Sequence, residues 1–102
     1  MRLGRSPFAK LVETQLDLFE HDHRDVLDEI EDRLEAYNRA DSTSAEELYG
    51  DYADAVDAAG EILADMRDRY ARTVDDADGF VRAFNRAAAR RLQAHPLDLE
   101  RR

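Results

Sequence analysis

The sequence predicts an all-α domain, and three observations carry that prediction. Apolar residues recur at steps of three and four over long stretches, no period-two alternation of strand type is present, and only 4 Gly and 2 Pro punctuate 102 residues. A chain of this length makes one domain, 1–102, with a single core. Residues 1–5 and 97–102 are expected to be flexible tails.

The first helix is expected over about 7–38. Ser6-Pro7 gives it a start, because Ser is a favoured N-cap and Pro suits the first helical position, where its missing N–H is not needed. Phe8, Val12, Leu16, Phe19, His23, Val26, Ile30, Leu34 and Tyr37 follow at helical spacing. At 100° per residue they fall within an arc of about 80°, a narrow seam suited to another helix.

The stretch NRADSTSAEE breaks this pattern, and Ser44 with Glu47 forms a capping-box signature for a second helix over about 45–73. Its seam is Leu48, Tyr52, Ala55, Ala59, Ile62 with Leu63, Met66, Tyr70 and Thr73. Glu47, Asp51, Asp54, Asp57, Glu61, Asp65 and Asp68 make a carboxylate stripe opposite. A third helix, about 77–94, starts at Asp75 or Asp76 and stops before His95-Pro96. Phe80, Val81, Phe84, Ala88 and Leu92 form its apolar face, and Arg82, Arg86 and Arg90 line another.

Two helices of roughly 30 residues joined by a short connection should form an antiparallel hairpin about 45 Å long. The shorter third helix covers only part of it, so the uncovered part predicts self-association as a homodimer. Leu11 and Leu18 lie off the first seam and are candidates to receive the third helix or another chain. The row Arg82, Arg86, Arg90 is expected to lie against the carboxylate stripes of the hairpin or of a second subunit. A phosphate or an acidic partner is the other reading of that row.

Charge narrows the function. The net charge is -9, with 18 acidic and 3 basic side chains in residues 13–65 against 6 acidic and 9 basic in residues 66–102. Such a surface repels nucleic acid and favours a basic protein partner. The absence of Cys removes disulfides and thiolate chemistry and fits a reducing compartment. No run of 18 apolar residues and no signal-peptide pattern occurs, so no membrane association is expected and a soluble, cytoplasmic protein is.

FEHDHRDVLDEIED, residues 19–32, sets two histidines among seven carboxylates. His21 and His23 stand about 200° apart around one helix and cannot chelate one ion. His23 falls on the apolar seam, where a hydrogen bond to Tyr52, Tyr70 or a backbone carbonyl is expected. His21 falls on the opposite face with Asp25, Asp28 and Asp32. His95, at a helix end, reads as a favourable cation near the C-terminal dipole. Glu20-x-x-His23 has the spacing used by carboxylate-bridged di-iron bundles, and only a homodimer could supply its second copy.

DEIEDRLEAY from Asp28, and EELYGDYADAV from Glu46, resemble the EExxE and ExxD halves of the motif of MazG-type nucleoside triphosphate pyrophosphohydrolases. The resemblance covers about 25 residues and implies magnesium held by Asp28, Glu29, Asp32, Glu47 and Asp51. Asp stands for Glu at two of the three first-half positions, and Glu47 to Asp51 is a step of four where the family uses three. From the residues, the expectation is a non-catalytic interaction or regulatory module without cofactor. The alternatives are a magnesium-dependent pyrophosphohydrolase and a dimeric di-iron carboxylate protein.

Overall fold

The computed structural model describes residues 7–102. The Ser6 cap and the tail expected at 1–5 lie outside the described residues. Those residues form four α-helices and no strand: α1 (Ala9–Asp22), α2 (Arg24–Asn38), α3 (Ala45–Ala71) and α4 (Ala77–Arg91), with a short 3-10 turn at Leu99–Arg101. None of these helices is long and apolar enough to cross a membrane.

The first helix expected from the sequence is therefore two. His23, at φ -120° and ψ 34°, interrupts it. Its N–H still donates to the Phe19 carbonyl (2.9 Å), and its own carbonyl accepts from Val26 (3.0 Å) and Leu27 (3.2 Å). The chain thus re-enters a helix at once. The two halves have different neighbours: α2 lies along α3, whereas α1 meets α4. The break lets one apolar seam serve both.

Contacts between named residues fix the directions. Tyr37 meets Tyr49 with ring centroids 5.4 Å apart, and Arg33 reaches Asp51, so α2 and α3 are antiparallel. Phe8 meets Phe80 edge-on at 5.6 Å, and Arg91 pairs with Asp17 and Glu20, so α1 and α4 are parallel. The core runs between them through Val12, Leu16, Phe19, Ile30, Leu63, Phe80 and Phe84, each at most 1% exposed. Burying a side chain of this kind stabilises by about 1.5–3 kcal/mol, so these seven dominate the apolar driving force.

Helix α3 buries more than the seam read from the sequence. Beside Ala59 and Leu63, a second line of Val56, Gly60, Ala64, Arg67 and Ala71 is buried. The second line meets α4 and the end of the chain, where Arg67 reaches Asn85 and Leu99 and Gly60 faces Arg102. The caps differ in kind. Asp76 accepts from the Gly79 N–H (2.9 Å) and caps α4, but Ser44 makes no side-chain cap, and its N–H donates to Asp41 Oδ1 (3.0 Å) instead. The expected capping box gives way to a turn closed by Asp41.

Residues 97–102, expected to be a flexible tail, fold back onto the bundle. Leu97 and Leu99 are each 6% exposed and join the core. The reason is polar as well as apolar. Arg67, itself 4% exposed, donates to the Leu99 carbonyl (2.8 Å), to Asn85 Oδ1 (3.0 Å) and to Asp68 Oδ1 (2.8 Å). Arg102 donates to the Leu97 carbonyl (2.7 Å) and to Asp57 on α3 (2.7 Å). Asp98 makes the reversal at φ 59°, a left-handed conformation that Asp tolerates better than most residues. Gly60 leaves the space for Arg102, since a Cβ there would lie 2.5 Å from the Arg102 Nε.

Two outcomes follow from this return. Arg67→Ala leaves the Leu99 carbonyl and the Asn85 amide oxygen without their donor, and should lower unfolding free energy by about 2–3 kcal/mol. Urea denaturation measures it, and a change below about 0.5 kcal/mol, the size of an ordinary surface substitution, would contradict the buried network. Gly60→Ala should stabilise by about 1 kcal/mol, its helix-propensity gain, in an Arg102→Ala background. In the native background that gain should shrink or vanish, because the new methyl group displaces Arg102.

Candidate functional site

The five carboxylates read as a magnesium set do not converge. Asp28, Glu29, Asp32 and Glu47 are exposed, and Asp51 is half-buried. Glu29 and Asp51 do face one another across α2 and α3, but Arg33 stands between them. Its Nε donates to Glu29 (2.6 Å), and its Nη1 lies 3.7 Å from Asp51. The Glu29 hydrogen bond and charge raise the Arg33 pKa, which keeps the guanidinium charged. A divalent cation needs several oxygen donors around one point, and here a fixed positive charge takes that place. Among the described residues, no group of three or more His, Cys, Asp or Glu side chains could hold a metal ion. The magnesium implied by the resemblance does not fit these residues. Arg33 was missed in the sequence, although Glu29 and Arg33 have the i,i+4 spacing that favours such a pair.

The di-iron spacing fares no better within one copy. Glu20 accepts from Arg91 Nη2 (2.9 Å), which also binds Asp17, and this ties α1 to α4. His23 sits at the helix break with its ring against Phe19, centroids 5.6 Å apart. It makes no hydrogen bond to Tyr52, whose hydroxyl is engaged elsewhere. His21 is exposed beside Asp22, 3.1 Å away.

Tyr52 instead meets His95. Its hydroxyl lies 3.3 Å from Nδ1, and Nε2 lies 2.7 Å from Glu31 Oε2. The imidazole is 9% exposed while the Glu31 side chain is open to water. A neutral ring satisfies both partners by donating from Nε2 to the carboxylate and accepting the phenolic proton at Nδ1. This Glu31–His95–Tyr52 relay joins α2, α3 and the segment after α4. His95 is thus a bridge between elements, where the sequence suggested only a cation at a helix end. Burial, then Tyr49 and Glu31, push the Tyr52 phenol above its usual value of 10.0.

His95 also lines a cavity of about 330 Å³ between α4 and the returning chain. Ala88, Leu92, Pro96, Leu97 and Leu99 supply most of its apolar wall. Both ring nitrogens of His95 are already engaged outside it, so the histidine presents no free donor or acceptor there.

Arg82, Arg86 and Arg90 are exposed and form no ion pair among the described residues. They do not lie against the carboxylates of their own hairpin, as one reading of the sequence had it. Arg91 takes that role from the next position, because it faces α1 while the row faces water. Leu11 is half-buried against the core, and Leu18 remains 42% exposed.

Comparison with protein-family models, with curated proteins and with solved structures finds no match for this chain.

The Tyr52 relay makes a pH-dependent prediction. The folded state holds the phenol protonated above pH 10.0, where the unfolded chain releases its proton. The stabilisation is therefore full below pH 10.0 and is lost as pH rises through the folded-state pKa. Tyr52→Phe should lower stability by about 1 kcal/mol at pH 7 by removing one hydrogen bond, and should flatten the decline above pH 10. Parallel stability curves for the two proteins across pH 9–11 would contradict it.

Proposed function

We propose that this protein is a non-catalytic interaction module that self-associates and works through charged helix faces. Its scaffold is α2 packed antiparallel on α3, with α1 and α4 packed in parallel beside them. The observation that carries the reading is the division of charge on its surface. Three arginines on α4 form no ion pair among the described residues, in a chain that has 24 acidic residues against 15 basic ones. Asp25, Asp28 and Asp32 on α2 are exposed and likewise form no ion pair among the described residues.

Rows of free like charge are costly to a fold through self-repulsion and suit a complementary surface. The acidic face fits a basic surface, and the arginine row fits an acidic one. A metal held by Glu29 and Asp51 would have to displace Arg33, which both carboxylates face.

Sedimentation at about 0.15 M salt should report a dimer that dissociates on dilution. A monomer at every accessible concentration contradicts self-association. The thermal midpoint should not rise saturably with magnesium, manganese or ferrous iron, since only a ligand of the native state raises it. Magnesium-dependent release of pyrophosphate from nucleoside triphosphates, abolished by Glu29→Ala, would overturn the non-catalytic reading.

A further inference from the structure

We propose that the arginine row of α4, Arg82, Arg86 and Arg90, docks antiparallel against the aspartate row of α2, Asp25, Asp28 and Asp32, of a second copy of this chain. The inference rests on the self-association proposed above and names the surfaces that meet.

The two rows match in number, length and sign. Arg82 to Arg90 spans eight residues, about 12 Å along the axis, and Asp25 to Asp32 spans seven, about 10.5 Å. Each row lies within an arc of about 80° on its helix, so three side chains of one can face three of the other. Both rows are exposed, and neither has an ion-pair partner among the described residues of its own chain.

Several of the neighbouring charges are already engaged. Glu29 holds Arg33, Glu35 lies 3.5 Å from Arg39, and Asp57 holds Arg102. Arg91, beside the arginine row, is taken by Asp17 and Glu20. What the fold leaves without an ion pair among the described residues of α2 and α4 is the acidic row, the basic row, and one opposite charge at the start of each helix, Arg24 and Asp78. A two-fold pair would satisfy both rows at once and close the assembly at two copies.

Net charge does not forbid the pairing. Each copy carries -9, but the molecule is 24–27 Å across its short axes. At about 0.15 M salt the Debye length is roughly 8 Å, so repulsion between whole copies is largely screened while contacts at ion-pair distance are not. Arginine also suits the role, because its planar fork binds carboxylates in two-point fashion.

The test is a charge swap on the full chain at about 0.15 M salt. Two triple variants are made, Arg82→Glu with Arg86→Glu and Arg90→Glu, and Asp25→Arg with Asp28→Arg and Asp32→Arg. A glutamine version of the first guards against effects of reversed charge, and circular dichroism checks that each is folded. Each variant alone should weaken the dimer at least about tenfold, and an equimolar mixture of the two reversed variants should recover it.

Several outcomes separate the claims. If the wild type is monomeric, the self-association reading fails and this one with it. If the wild type is dimeric and the arginine variants dimerise with unchanged affinity, the docking inference fails while self-association stands. If both reversed variants lose the dimer and their mixture stays monomeric, the rows do not meet one another and the docking inference fails.

Discussion

The buried guanidinium of Arg67 is the interaction on which the rest of this structure depends. A charge taken out of water costs several kcal/mol unless its donors are satisfied. Arg67 meets that condition with three acceptors from three places: Asp68 on its own helix, Asn85 on α4 and the Leu99 carbonyl on the returning chain. The geometry therefore specifies where α4 and the chain end lie relative to α3. Leu97 and Leu99 are buried as a consequence, and the Arg102 side chain reaches Asp57 across Gly60.

The second constraint is the break at His23. A straight helix would carry its seam along one partner, but α2 needs α3 and α1 needs α4. On the α2–α3 side, Ile30 and Ala59 are fully buried. At the α1 end Phe8, Phe19, Phe80 and Phe84 fill the space, and the salt bridge of Arg91 to Asp17 and Glu20 closes its rim. The Glu31–His95–Tyr52 relay then pins the chain after α4 to the α2–α3 pair. Polar contacts on both sides of the His23 break thus tie α4 and the chain after it to α1, α2 and α3.

Periodicity made the helical class and most core positions legible: Val12, Leu16, Phe19, Ile30, Leu63, Phe80 and Phe84 lie on the seams read from spacing alone. The break at His23 was not legible, because histidine is no helix breaker and the apolar spacing continues through it. Nor was the chain return. Leu97 and Leu99 are too few to define a period, and Arg67 in ADMRDRY looks like any arginine on a charged helix. Its burial depends on the third neighbour that the return itself supplies. At the candidate site, the Glu29–Arg33 spacing was visible in principle, but the reach of Arg33 to Asp51 required the packing of α2 on α3.

What remains on the surface follows from these internal pairings, since each arginine used inside the fold leaves a different set of charges outside it. The central claim is that residues 97–102 belong to the cooperative fold and are held there by Arg67. Amide hydrogen exchange read residue by residue tests it most directly, because the Leu97, Arg101 and Arg102 N–H groups donate to the carbonyls of His95, Asp98 and Leu99. The account predicts slowed exchange at all three in the native protein, and its loss in Arg67→Ala under conditions where the α2 and α3 amides stay protected. Exchange at free-chain rates for these amides in the native protein would contradict it.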